Sequence, residues 1–244
     1  LAVSISSQVN AQSRWLLPSH STLSSEPGEW IALDATASNE VFNVDKALSI
    51  DPLSILTPSG KKASPSSAYK AHRKSVADYF IEESGTYKIT NNSTANYFSS
   101  YKVGDKRKRA RANKIELKAL VPSNASNLQT TYGFTRVETY ITMNNPTDNF
   151  DIDGKFLELI PKTHPSEIVE EESATFAFHY HGKLQAGVEV EIMRDGARYR
   201  NNPEVTKLIT DSEGEITFTP KQAGRYLLIA EYQQDAKNKT LADK

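Results

Sequence analysis

Cysteine is absent from the 244 residues, which excludes disulfides, thiolate-bound metals, iron–sulfur clusters and a cysteine nucleophile. Charge of one sign is lacking too: 29 basic and 30 acidic residues leave a formal net charge of −1, so no overall field draws the chain to nucleic acid or anionic lipid. No run approaches the roughly 20 consecutive apolar residues of a membrane helix. Enzyme signatures with a local pattern are missing as well. There is no Gly-x-Ser-x-Gly elbow, His-Glu-x-x-His helix, phosphate loop or dinucleotide fingerprint. The expectation is therefore a non-enzyme without a membrane span or a nucleic-acid partner.

What is present suits an ordinary globular protein. Apolar residues make up 38% and charged residues 24% of the chain, enough at this length for one large or two small domains. Residues 29–36 (EWIALDAT) place Ile31, Leu33 and Ala35 on one wholly apolar strand face and Trp30, Ala32 and Asp34 on the other. Short runs of the same kind recur at 53–57, 76–82, 87–90, 156–161, 174–180, 188–193, 205–210, 215–219 and 226–232, separated by Gly, Pro, Asn and Ser clusters. This pattern predicts an all-β fold of two tandem immunoglobulin-like β-sandwich domains. A polar, Pro-containing stretch at 144–149 marks the boundary, giving domains over 12–148 and 149–232 and a polar, frayed tail over 233–244. An internal echo supports two similar halves: Tyr79-x₅-Gly85-x-Tyr87 matches Phe218-x₅-Gly224-x-Tyr226 in its aromatic, Gly and Tyr spacing. In immunoglobulin-like sandwiches such a tyrosine bonds back to the backbone at a strand corner.

Residues 105–121 alone argue for helix, because helix formers dominate and Pro122 would stop it. Their basic run, Lys106 to Arg111, reads as a solvated loop or helix face, with an acidic partner surface as a variant. Residues 1–11 (LAVSISSQVNA) read as the remnant of a secretory signal ending in small residues, which places the protein in the periplasm; the rival reading is an unstructured extension.

The candidate chemistry rests on histidine. His179 and His181 lie two apart on a strand, on one face about 6.5 Å apart, where both rings could meet a metal if a third ligand such as His164 approached. The alternative is two exposed polar residues beside a turn. Residues 151–154 and 211–214 look like calcium loops but lack the alternating oxygen ligands and read as turns.

Several segments, taken in order, resemble an uncharacterised bacterial periplasmic family whose members carry the label of NikM-like periplasmic components of cobalt or nickel transport. They are Trp15-Leu16-Leu17-Pro18, residues 34–42, Ser84-Gly85-Thr86-Tyr87, the basic stretch, Arg136-Val137-Glu138-Thr139-Tyr140, Thr163-His164-Pro165 and Gly224-Arg225-Tyr226. The resemblance implies an exported binding or accessory protein linked to nickel or cobalt uptake. It implies a membrane transporter or outer-membrane receptor as partner, His164 as the shared ligand, and a second half similar to carboxypeptidase-regulatory or Cna-B-like modules. Many members carry a His three residues before the tryptophan, where this chain has Gln12, a poor transition-metal ligand. The competing function is a structural or adhesive sandwich that binds a protein or glycan without metal.

Overall fold

The structure, a computed structural model, describes residues 1–5, 12–26, 28–148, 150, 152–199, 201 and 204–244. It is an all-β sandwich fold. Among the described residues a nine-stranded sheet runs through both halves in the order Val205–Ile209, Glu189–Arg194, Tyr226–Glu231, Ala2–Ile5, Arg136–Met143, Gly85–Asn92, Leu53–Leu56 and Lys62–Ala63, with Thr22–Leu23 beside Arg136–Met143. A five-stranded sheet is built on Ser13–Pro18, Glu29–Ser38 and Ser75–Ile81, and a four-stranded sheet on Leu157–Pro161 and Ala174–Tyr180. A three-stranded sheet joins Lys106–Ala110, Asn96–Val103 and Ala125–Gly133. No described helix is long and apolar enough to cross a membrane.

The strand Arg136–Met143 explains the layering. All eight of its residues are buried, because its two faces serve different cores. Val137, Ile141 and Met143 pack with Ile31 and Leu33 of the five-stranded sheet and with Ile55 and Ile89. Tyr140, on the opposite face, packs with Phe176 and Phe178 of the four-stranded sheet and with Ile192 and Leu228. The two smaller sheets therefore cover opposite faces of one long sheet. Residues 144–148 connect the halves, but the long sheet continues across them and Val3 and Tyr140 of the first half pack in the core of the second; Asn149 lies outside the described residues. The segment read as the end of an export signal supplies the joint. Ala2–Ile5 pairs antiparallel with Arg136–Met143 and parallel with Tyr226–Glu231, and Val3 is fully buried. Residues 6–11 are outside the described set.

Period-2 reading holds where one face is wet: Ile31, Leu33 and Ala35 are buried while Trp30 is 58% exposed. The helix expected over 105–121 is shorter. Lys106–Ala110 is a strand that returns through the Gly104 turn to pair with Asn96–Val103, and only Lys114–Leu120 is helical. That helix starts at an Asn113–Glu116 capping box, which satisfies orphan donors at its N-terminus. The tail is docked, not frayed. Asp243 accepts from the Thr130 N–H at 2.8 Å and pairs with Lys114 at 2.6 Å, and the Tyr132 N–H donates to the Lys244 carbonyl at 3.0 Å. The tail thereby covers the outer edge of Ala125–Gly133, whose backbone would otherwise be unpaired. Residues 211–214 form the expected turn, with Asp211 accepting from Glu213 and Glu215 N–H groups.

The two echoed tyrosines occupy equivalent corners. Tyr87 Oη accepts from the Glu83 N–H at 2.8 Å, and Tyr226 Oη donates to the Gln222 carbonyl at 2.5 Å, each four residues upstream. Burial first, then the Glu83 carboxylate, pushes the Tyr87 hydroxyl up to about 12 against the hydrogen bond it accepts. The glycine two residues before each tyrosine has positive φ, 132° at Gly85 and 149° at Gly224, but their surroundings differ. A Cβ at Gly85 would sit 2.5 Å from Pro58 Cβ, whereas at Gly224 the nearest atom is 3.6 Å away on the flexible Arg194 side chain. Both substitutions carry backbone strain of roughly 1–3 kcal/mol, and Gly85→Ala adds a clash. In urea denaturation Gly85→Ala is expected to lower stability clearly more than Gly224→Ala; equal losses would contradict this.

One cross-strand pair in the long sheet is repulsive. Glu231 lies opposite Glu189 and is pushed up to about 7 by desolvation, then by Glu191 and Glu189. Its folded value lies above the unfolded one, so the folded state holds the proton longer. Stability from this group is intact below the unfolded carboxylate range and is lost as pH rises from about 4.5 to 7. Glu231→Gln is expected to raise stability at pH 8 by about 1 kcal/mol, discounted for its half-exposed position, and to change little at pH 4. Thermal melts at the two pH values check this, and a gain at pH 4 alone would refute it.

Candidate functional site

The histidines expected to share a metal have other engagements. His164, nearly buried, caps the short helix Pro165–Glu167: its Nδ1 accepts from the Ser166 N–H at 3.0 Å, while Nε2 lies 2.9 Å from the Thr147 carbonyl and 3.0 Å from Thr86 Oγ1. That pattern fixes the neutral tautomer with its proton on Nε2 and leaves no lone pair free for a metal. Thr-His-Pro is thus a cap that ties the helix to the strand Gly85–Asn92. His181 Nδ1 accepts from the Phe156 N–H at 3.2 Å. His179 is half-buried on Ala174–Tyr180, and desolvation followed by Lys162 lowers its pKa. Among the described residues no three His, Cys, Asp or Glu side chains are grouped to hold a metal ion. Gln12 directs its amide to Asp45 at 3.4 Å.

Two features that motifs did not announce are better formed. The first is a chain of aromatic rings where the three-stranded sheet meets the second core. Tyr97 and Tyr132, paired in register, lie 4.8 Å apart between centroids, Tyr132 and Phe156 6.1 Å, Phe156 and His181 5.3 Å, and Tyr180 and His181 4.3 Å. Phe134 stacks on Phe156 at 4.8 Å and 7°, and Tyr180 meets Tyr232 edge-on at 5.0 Å. Tyr97, Tyr132, Phe156, Tyr180 and His181 form one wall of a cavity of about 410 Å³, and the docked tail forms the other with Asp235, Lys237, Asn238 and Lys244. Such a volume holds a small ligand, and the mixture of apolar walls with a few polar groups is what orients one. Tyr132 remains 43% exposed, so the rings are open to a partner.

The second feature is a buried charge network beneath these rings. Arg136, Glu138 and Glu158 are almost completely buried. Arg136 Nη2 reaches Asp153 at 3.2 Å and Glu158 at 3.9 Å, and Lys88 Nζ reaches Glu138 at 3.5 Å. Glu158 accepts from the N–H groups of Asp153 and Gly154 at 2.9 Å each, and the Tyr140 hydroxyl donates to Glu138 at 3.0 Å. Burial raises the pKa of Glu158 and, with Glu138 adding to it, lifts Tyr140 well above the usual phenol range. Burial opposes ionisation of Asp153 too, but the Lys155 N–H and Arg136 outweigh it and hold its pKa low. The Arg136 guanidinium also lies over the Phe134 ring at 5.1 Å, so the network fixes the ring that stacks on Phe156. It links the Arg136–Met143 strand to Leu157–Pro161 and thereby positions the aromatic wall. Only the compact Tyr132-Gly133-Phe134 triplet hints at this pocket in the sequence.

No match was found among curated proteins. A family model described as a domain of unknown function (DUF4198) matches residues 9–234, and the chain belongs to that family.

Proposed function

We propose that the protein is an exported, non-catalytic binding module that recognises a glycan through the aromatic pocket. The observation that carries this reading is the run of five rings, Tyr97, Tyr132, Phe156, Tyr180 and His181, along one wall of a cavity whose other wall carries a carboxylate, two amides and two ammonium groups. The C–H face of a pyranose packs on aromatic rings while its hydroxyls need donors and acceptors at the rim; Tyr and His present an apolar body and a polar tip to both needs. Export to the periplasm is inferred from the resemblance of the segments between Trp15 and Tyr226 to a periplasmic family, and not from residues 1–11, of which Ala2–Ile5 is an inner strand of the long sheet.

The nickel- or cobalt-uptake reading rests on the resemblance to NikM-like proteins and on His164, His179 and His181. The geometry favours it less, since both ring nitrogens of His164 are spent inside the fold. Titration calorimetry with soluble oligomers of glucose and of N-acetylglucosamine, alongside equilibrium dialysis against nickel and cobalt, separates the two. One oligosaccharide series is expected to bind saturably, with Tyr132→Ala weakening it at least tenfold through the loss of one stacking surface. Failure of every sugar to saturate, together with tight nickel binding abolished by His179→Ala, would overturn the proposal in favour of metal.

A further inference from the structure

The opposite face of the three-stranded sheet carries a site of different chemistry. Strand alternation sets Tyr97, Ser99, Thr130 and Tyr132 on one face and Phe98, Ser100, Gln129 and Thr131 on the other. Register then places Arg109, Ser100 and Gln129 in a row across the three strands, Arg109 opposite Ser100 and Ser100 opposite Gln129. Arg107 lies two residues from Arg109 on the same strand face, and Arg111 follows beyond the strand end. All three arginines line a cavity of about 560 Å³, as does Gln233. No Asp or Glu is among its described lining residues, and among the described residues none of the three guanidinium groups is ion-paired. The site thus holds three uncompensated positive charges in a concave, donor-rich surface on a chain whose net charge is −1.

We propose that this cavity binds a small polyanion bearing two or more carboxylate or phosphate groups. Guanidinium forks take such oxygens bidentately, and the spacing of about 6.5–7 Å between Arg107 and Arg109 along the strand suits two anionic groups of one molecule. Ser100 and Gln129 add neutral hydrogen-bonding groups between the charges. The cavity volume fits a small ligand. A polynucleotide is disfavoured because Phe98 is the only ring among the described lining residues, whereas single strands need successive rings for stacking. The site faces away from Tyr97 and Tyr132 and stands independently of the glycan reading.

The test uses the full chain, with citrate and pyrophosphate as separate probes in titration calorimetry at low and high salt. At low salt at least one probe is expected to bind with unit stoichiometry; pyrophosphate alone identifies phosphate chemistry and citrate alone carboxylate chemistry. Arg109→Gln is expected to weaken binding at least tenfold, and Arg109→Lys by less, because charge is kept and only the fork is lost. Lys221→Gln removes an equal charge from an exposed loop outside the cavity and is expected to change affinity less than twofold. Absence of saturable binding by both probes, or equal losses in Arg109→Gln and Lys221→Gln, would overturn the assignment.

Discussion

Replacing Arg136 by methionine is expected to destabilise the protein by about 3–5 kcal/mol, the cost of leaving buried carboxylates without their partner. Glu138 and Glu158 are 0% and 2% exposed, and Arg136 faces both, within 4.0 Å and 3.9 Å respectively. Methionine keeps much of the arginine stem volume and its contact with Phe134, so the loss reports charge and not packing. Glu158 already has a raised pKa through burial, and the Arg136 charge works against that rise, so without the arginine Glu158 ionises less readily still. The deficit of Arg136→Met is therefore expected to shrink as pH falls toward 4, since protonating Glu158 removes its unpaired charge. Urea denaturation at neutral and acidic pH measures it. A loss below about 1 kcal/mol at neutral pH would mean that water reaches the network, since exposed pairs are worth no more than that.

A loss of similar size, about 3–5 kcal/mol, is expected for Trp15→Ala. Trp15 is 1% exposed and belongs to a small core that draws on both halves, with Ala2 and Leu227 buried beside it and Val41, Phe42 and Ile229 against it. Its ring meets Phe42 edge-on at 5.5 Å, and the Arg225 guanidinium lies over the same Phe42 at 5.6 Å. Emptying this site cannot be repaired by one strand shifting, because the long sheet and the strand Ser13–Pro18 hold its walls. The chemical denaturation midpoint should fall with the slope unchanged. Trp15→Phe refills most of the volume and should recover more than half of the loss. If alanine costs less than about 1 kcal/mol, the cluster does not join the halves.

The sequence was readable where one strand face is wet and the other buried, as in Glu29–Ser38, and where a glycine-anchored tyrosine marks a corner. It was unreadable where a strand is buried on both faces. Arg136–Met143 mixes Arg, Glu and Thr with apolar residues, and that mixture resembles surface until the second sheet is seen to cover it. The basic run defeated the reading for another reason: Lys, Arg and Ala favour helix locally, but pairing with Asn96–Val103 supplies hydrogen bonds that outweigh propensity. At the candidate site, His164 stood out by its Thr-His-Pro motif, yet the same nitrogens that suit a metal also cap a helix, and spacing cannot separate the two uses. The aromatic wall left almost no trace, because its rings come from strands and loops spread over much of the chain and only register and the docked tail bring them together.

Backbone amide spectra recorded during titration with the tightest-binding oligosaccharide test the glycan pocket most directly. Saturable shifts are expected at Tyr97, Tyr132, Phe156, Tyr180, His181 and Asn238. Shifts centred instead on another surface, such as the exposed Trp30 and Tyr69, or none at all at saturating sugar, would contradict the assignment of that pocket.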